Sequence, residues 1–395
     1  MNYHIFPQNK FFDAYIEDIY KLHQENNNVF WVRGNKGDSD LLKTERPVIY
    51  IGNDEISIIE RLRSIRPQDK LIVSWYDIFI GECILNAKIE CCVYAYLMGG
   101  DFYNDPFGYH NFWLYDPCTK KIIDKIYSPQ INFHRRPKNW YKVLNDIQCK
   151  RKYKRALIEI YNRKLKTIAR IDYIISGANN EAEISFVKKT FPTFRAKYVY
   201  GSFDQNFDLA KDFPQKDPYT GDQMLQVLLG NSADPCNNHI DACKFLLKSL
   251  PKESMINCPL SYGDSNYSVI FQKWAELNLK PRFHPILDYI SREKYVELLN
   301  SMDIVIMYHN RQQAFGNIIT SLCLGKPVFI KRDSPIYSML TSMGIPNIFC
   351  IDILKKGNVA LLCEKAKKNR PQTLIIIQEF FSEQARLNNL KKIIT

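Results

Sequence analysis

The sequence predicts an α/β protein built as two Rossmann-like domains. Short apolar runs rich in β-branched residues alternate with stretches of helical period. A polar, turn-rich stretch over residues 203–222 interrupts that alternation, and a second series of the same kind follows it. The length, 395 residues, exceeds what one core usually holds.

The elements follow in order. Val48–Gly52, Lys70–Ser74, Cys91–Leu97 and Ile171–Gly177 read as buried strands, Glu181–Phe191 as a helix and Ala196–Tyr200 as a further strand. Pro214, Pro218 and Gly221 mark the interruption as a linker. Met224–Leu229 then reads as a strand ending at Gly230, and Ile240, Cys243, Leu247 and Leu250 share one helix face. Met255–Leu260 is a strand, and Ser291 caps a helix carrying Tyr295, Leu298, Leu299 and Met302. Ile304–Tyr308 is a strand, Gly316–Leu324 a helix, Pro327–Ile330 a strand, and the tail from Gln378 a last helix. The expected domains are 1–203, a linker 204–222, 223–378, and a C-terminal helix 379–395. Two such sheets bind ligands in a cleft outside the carboxyl ends of their strands.

Eleven cysteines are scattered without a C-x-x-C pair, which argues against a zinc site or a disulfide framework and for reduced thiols in the cytosol. The seven histidines are dispersed as well, so no metal cluster is expected. Met1–Lys10 lacks the charged-then-apolar pattern of a signal peptide, and no run approaches the roughly 20 apolar residues of a spanning helix. The expectation is a soluble or membrane-surface protein.

The net charge of +12 is concentrated. Residues 120–170 hold sixteen Lys or Arg against three acids, so the rest of the chain is near neutral. Tyr127, Phe133, Trp140, Tyr141, Tyr153 and Tyr161 are interleaved among them, with Lys150, Arg151, Lys152, Lys154 and Arg155 the densest group. Such a segment suits anionic lipid, at about 1 kcal/mol per basic residue near the surface. It suits nucleic acid equally, and a solvated helix face is the plain alternative.

Four loops carry candidate chemistry. Gly230-Asn231-Ser232-Ala233-Asp234 turns sharply after a strand, and the following helix start offers N–H groups to a phosphate; alone, a plain capped loop explains it as well. Tyr262, in Pro259-Leu260-Ser261-Tyr262-Gly263, is placed either to stack on a base or ribose or to sit in a turn. His309-Asn310-Arg311-Gln312-Gln313-Ala314-Phe315-Gly316-Asn317 leaves a buried strand and enters a helix. There the Arg311 fork and the helix start at Gly316 and Asn317 suit a leaving nucleotide diphosphate without a metal. Gly99-Gly100-Asp101-Phe102-Tyr103 places Asp101 as a base toward an acceptor hydroxyl or as a helix cap, with even claims. Asp38-Ser39-Asp40 has the form of an acidic metal motif but reads as a solvated loop.

At these residues the chain resembles the bacterial 4-acetamido-4,6-dideoxygalactose transferases of enterobacterial common antigen synthesis. The likeness is densest over Leu228–Pro335: Gly230-Asn231-Ser232 with Asp234, Asn238, His239 and Ile240, Pro259 with Tyr262-Gly263, Arg311-Gln312-Gln313 with Gly316, and Gly325 with Pro327. Gly99-Gly100-Asp101-Phe102-Tyr103 matches more weakly, and the chain departs from the family at Met98, Ala314, Phe315 and Asn317. The resemblance implies the GT-B architecture, two Rossmann-like domains facing each other across a cleft, with no cofactor. It implies a dTDP-linked sugar as donor, a polyprenyl-diphosphate oligosaccharide as acceptor, and retention at the anomeric centre, so that Asp101 positions the acceptor. The donor side is then Gly230, Asn231, Ser232, Asp234, Asn238, Tyr262, Arg311, Gln312, Gln313, Gly316 and Asn317, with Arg311 and Asp101 catalytic. The acceptor side is Gly99, Gly100, Asp101 and Tyr103. The basic segment docks on the inner face of the cell membrane, and no nucleic acid is expected. The alternatives are a transferase using another nucleotide sugar for a capsule or O-antigen unit, and a non-catalytic nucleic-acid binder.

Overall fold

Strands covered on both faces read as unbroken apolar runs. Lys70–Ser74 shows this, with every residue after Lys70 buried. The computed structural model describes residues 1–9, 11–103, 114–127, 140–177, 181–201 and 212–395. Its strands are β1 Asn2–Pro7, β2 Asn28–Arg33, β3 Ile49–Tyr50, β4 Lys70–Ser74, β5 Cys92–Tyr96, β6 Tyr173–Ser176, β7 Lys197–Tyr200, β8 Leu225–Leu229, β9 Ser254–Pro259, β10 Phe283–Ile286, β11 Ile304–Met307, β12 Val328–Ile330 and β13 Ile348–Cys350. The helices are α1 Phe11–Lys21, α2 Glu55–Leu62, α3 Ile78–Ala87, α4 Gly100–Tyr103, α5 Pro117–Tyr127, α6 Trp140–Ile168, α7 Glu181–Thr190, α8 His239–Ser249, α9 Ser265–Leu279, α10 Arg292–Ser301, α11 Phe315–Cys323, α12 Pro335–Ser342, α13 Val359–Phe381 and α14 Glu383–Ile394.

The chain forms two compact units. Unit 1 is Met1–Asp105, Ile158–Phe203 and Glu383–Thr395; unit 2 is Pro106–Leu157 and Asp204–Ser382. Unit 1 holds a seven-stranded sheet in the order β3-β2-β1-β4-β5-β6-β7, and unit 2 a six-stranded sheet in the order β10-β9-β8-β11-β12-β13. All the pairings between these strands are parallel, as a doubly wound fold requires. This differs from the expected division at two places. Residues 106–157 belong with the second unit, and Glu383–Thr395 returns to the first. Part of the expected linker, residues 204–211, lies outside the described residues.

The return of α14 has clear physical causes. Leu390, Ile393 and Ile394 enter the core around Phe12, Ile16 and Ile19. Arg386 makes a two-pronged ion pair with Asp18, at 2.7 and 3.1 Å, with both side chains buried. Asn2 Nδ2 donates to Ile394 O at 2.6 Å.

β1 and β2 escape sequence reading because they carry polar residues inside. Asn2 donates to Asn28 Oδ1 at 3.1 Å, and His4 Nε2 lies 2.7 Å from the same oxygen. The Tyr15 hydroxyl is 2.9 Å from His4 Nδ1. Nε2 therefore carries the proton and Nδ1 accepts, a fully bonded buried network. Helix starts follow the usual capping chemistry: Asp77 accepts from Ile80 N at 2.8 Å before α3, and Asp264 from Tyr267 N at 2.9 Å before α9.

Among the described residues no helix is long and apolar enough to cross a membrane. The basic segment is less uniform than its composition. Arg151, Lys152, Lys154 and Arg155 are exposed on α6, and the Lys150 side chain lies outside the described part. Lys164 is buried and donates to Phe102 O at 3.0 Å, while Arg163 pairs with Glu82 and Arg170 with Asp172. Among the described residues the 151–155 turn is an exposed positive face, whereas Arg163, Lys164 and Arg170 are taken up by partners.

Candidate functional site

In unit 2, loops leave the carboxyl ends of β8, β9 and β11, three strands of which β8 is hydrogen-bonded to both others. The three loops meet at Asn231. Its Nδ2 donates to the Tyr262 hydroxyl at 3.0 Å, and its Oδ1 accepts from Gln313 Nε2 at 3.1 Å. One side chain, itself only 8% exposed, thereby joins segments that lie far apart in sequence.

The backbone brings the loops this close only where side chains are absent. Gly263 has φ +118°, and a Cβ there would stand 2.7 Å from Ala233 C and Asp234 N. Ala233 N donates to Tyr262 O at 2.7 Å, bridging the first two loops. Gly230, at φ +70°, would place a Cβ 2.8 Å from Asn237 Oδ1. Both positions need glycine for conformation and for space.

An ion pair joins the first and third loops. Arg311 is buried and its Nη2 lies 3.2 Å from Asp234 Oδ2, while Nη1 donates to Gln312 O at 3.0 Å. Asp234 also accepts from Cys236 N at 2.8 Å, and Ser232 Oγ accepts from Asp234 N at 3.3 Å. Burial pushes the Cys236 thiol up to about 12, so it stays neutral beside the pair. Burial, aided by the Arg311 charge, lowers His309 to about 3. That imidazole is a neutral group beneath the loop.

α11 begins one residue before Gly316. The first N–H groups of a helix have no partner within it, and in α11 they follow directly on the loop that carries Arg311, with no side chain capping them. Asn317 Nδ2 donates to the Tyr295 hydroxyl at 3.0 Å and fixes this end of the helix against α10. Tyr262 keeps 57% of its surface exposed. Two exposed apolar residues that sequence reading missed, Leu287 and Tyr289, follow β10 on the neighbouring strand end; no motif marks them. Asn238 faces inward. It is fully buried, and its amide donates to Leu114 O and Cys236 O, each at 3.1 Å.

In unit 1, Gly99 takes φ +100° and its carbonyl accepts from Phe102 N and Tyr103 N. The Asp101 side chain lies outside the described part. Tyr103, expected to face an acceptor, is 2% exposed, with its ring in the interior. Asp38 Oδ2 accepts from Asn35 N at 2.6 Å, and Ser39 Oγ from Leu41 N at 3.2 Å, which makes this acidic triplet an exposed turn. Among the described residues no group of three or more His, Cys, Asp or Glu is placed to hold a metal ion.

Residues 140–382, more than half of the chain and all three unit 2 loops, match the family described as 4-alpha-L-fucosyltransferase, glycosyl transferase group 56. The chain belongs to that family. Its fold is similar to that of OtsA, at 8% identity and TM-score 0.57 over 99% of this chain and 98% of the other. It is also similar to a sucrose-phosphate synthase from Thermosynechococcus elongatus, at 11% identity and TM-score 0.56 over 99% and 97%. A protein of Anabaena in complex with UDP-glucose matches at 12% identity and TM-score 0.52 over 99% and 98%. These are GT-B folds, and this group 56 chain is a glycosyltransferase of the GT-B type.

Proposed function

We propose that this enzyme moves a 4-acetamido-4,6-dideoxygalactose-type sugar from a dTDP-linked donor onto a polyprenyl-diphosphate-linked oligosaccharide, at the inner face of a bacterial membrane. The observation that carries the donor side is the meeting of three loops at Asn231, beside Arg311 and the start of α11. Arg311 and the helix N–H groups stabilise charge on the departing diphosphate, so that no metal is needed. The bond from the sugar anomeric carbon to the diphosphate oxygen breaks, a bond to the acceptor oxygen forms with retention, and the acceptor hydroxyl proton leaves on the departing diphosphate. Gly99, Gly100 and Asp101 serve the acceptor, Asp101 orienting its hydroxyl. The exposed Arg151–Arg155 turn of α6 meets anionic lipid. The UDP-glucose complex of the Anabaena protein supports a nucleotide-diphosphate sugar as donor. The family description supports a second reading of the sugar alone: a fucose-type donor without the acetamido group.

The test is nucleotide stabilisation. dTDP, or UDP in its place, is expected to raise the melting temperature, and sugar transfer is expected to survive EDTA. A protein that no nucleoside diphosphate stabilises is not this enzyme, and activity restored only by Mg²⁺ or Mn²⁺ removes the metal-free mechanism.

A further inference from the structure

Beside Arg311 stands a second cation that no sequence motif marks. Val305 pairs with Val328 and Met307 with Ile330, so the chain leaves β11 and β12 side by side, as Tyr308 and Lys331. Neighbouring parallel strands lie about 5 Å apart. The Lys331 ammonium stands 4.8 Å from the centre of the Tyr308 ring and 2.8 Å from both Asp116 oxygens. Asn310, the residue before Arg311, donates to Asp116 Oδ1 at 3.1 Å and to Leu114 O at 3.2 Å. Asp116 N in turn donates to Asn238 Oδ1 at 2.7 Å, on the segment that follows the first loop. One hydrogen-bonded network therefore links Lys331 to the loops that carry Arg311 and Asn231. The side chains of Lys331 and Asp116 keep 21% and 17% exposure, so the pair reaches the surface at the carboxyl end of the sheet.

We propose that Lys331 is a second cationic ligand of the donor diphosphate, held ready by Asp116. This rests on the donor reading above. Arg311 faces Asp234, a carboxylate that offsets its charge, as Asp116 offsets that of Lys331; one cation is poorly matched to two phosphoryl groups. Lys331, turning from Asp116, presents a second cation on the adjacent strand end. Its ammonium is a point charge on a flexible stem, able to turn from Asp116 to a phosphate while staying over the Tyr308 face. Asp116 itself is fixed by Asn238 and Asn310, which keeps the lysine preplaced when no donor is bound. The fields of both cations reach the same buried imidazole, His309, each disfavouring its protonation. The competing account is a strut in which Lys331 only ties Leu114–Asp116 to β12. A strut costs stability and leaves affinity alone.

Calorimetric titration of dTDP and of thymidine separates these accounts, using wild type, K331M, K331R and the double variant K331M/D116N. The double variant removes the cation together with its counter-ion, so it leaves no uncompensated charge if K331M alone folds poorly. The expected result is dTDP binding weakened at least tenfold in K331M and in the double variant, largely kept in K331R, with thymidine binding unchanged. Salt dependence of dTDP binding is expected to become shallower in the methionine variants. Wild-type affinity for dTDP in both methionine variants, with lowered melting temperature only, overturns the assignment. Wild-type protein that binds no nucleoside diphosphate overturns the donor reading, and this inference with it.

Discussion

Arg311 is the residue on which the proposed donor chemistry turns. Its guanidinium is buried between a strand end and a helix start, and its geometry is fixed by Asp234 and by the carbonyl of Gln312. A preorganised cation of this kind stabilises a leaving diphosphate without reorganising at the moment of reaction. Arg311→Ala is expected to lower turnover by roughly 10²–10³, the usual loss for one charge-stabilising donor. Turnover is measured on protein whose melting curve shows it folded; an unchanged rate removes Arg311 from the mechanism. The sequence announced this residue because polar side chains and a glycine crowd the end of a buried strand. It did not announce Asp116, which reaches Asn310 and Lys331 from 194 and 215 residues away. Contacts across such separations come from topology, and no local pattern encodes them. Tyr103 shows the opposite failure: a tyrosine after two glycines suits a cleft, yet its ring found better burial in the interior.

Among the elements, α6 is the one for which composition suggested the proposed lipid contact. It runs from Trp140 to Ile168, with Arg151, Lys152, Lys154 and Arg155 on its exposed part and Ile158 39% exposed just beyond. Four exposed charges on one turn suit a surface of anionic lipid at about 1 kcal/mol each, screened by salt within a Debye length. Reversing these four to Glu is expected to abolish co-sedimentation with phosphatidylglycerol vesicles at low salt, while neutral vesicles bind neither protein. Binding of duplex or single-stranded nucleic acid in preference to vesicles turns the reading toward nucleic acid. Elsewhere the legible elements were those with uniform chemistry. β11 and β12 are apolar and buried throughout, and β4 is buried after Lys70 with three apolar residues in a row, so their runs stand out. β1 and β2 were illegible because Asn2, His4 and Asn28 satisfy one another inside the fold. α13 was illegible because Pro371 sits within it. Proline removes one helical hydrogen bond and usually marks an end. Here buried Thr373, Ile377 and Phe381 continue the packed face past it.

At the scale of the whole chain, the two units carry, among the described residues, different numbers of buried neutral histidines, and that gives them different acid sensitivity. Unit 1 holds His4, lowered from 6.5 to about 4 by burial despite its bond to Asn28. Unit 2 holds His239 and His309, each lowered from 6.5 to about 3, again chiefly by burial. Tyr15 and Asn28 face His4, and Tyr267 faces His239; all are neutral. Arg311 and Lys331 act on His309 and push in the same direction as burial. Below pH 6.5 the unfolded chain takes up protons that the folded chain refuses, so stability is full above that value and falls as pH drops toward 4. One pKa unit corresponds to about 1.4 kcal/mol, so each histidine removes about 2 kcal/mol between pH 6.5 and about pH 5. The carboxylates held low by partners, such as Glu82 beside Arg163, lose their contribution only at lower pH and do not share this window. Unit 1 is therefore expected to lose about 2 kcal/mol and unit 2 about 4 kcal/mol. Both are large against the roughly 5–15 kcal/mol of an ordinary domain. Hydrogen exchange resolved to peptides of β4 and β11, corrected for intrinsic rates and compared at about pH 7 and about pH 5, reads the two units separately. Unit 2 should lose more protection than unit 1 as the solution is acidified. Equal losses in the two units, or none in either, would mean that these imidazoles take up protons in the folded chain, contrary to the burial that surrounds them.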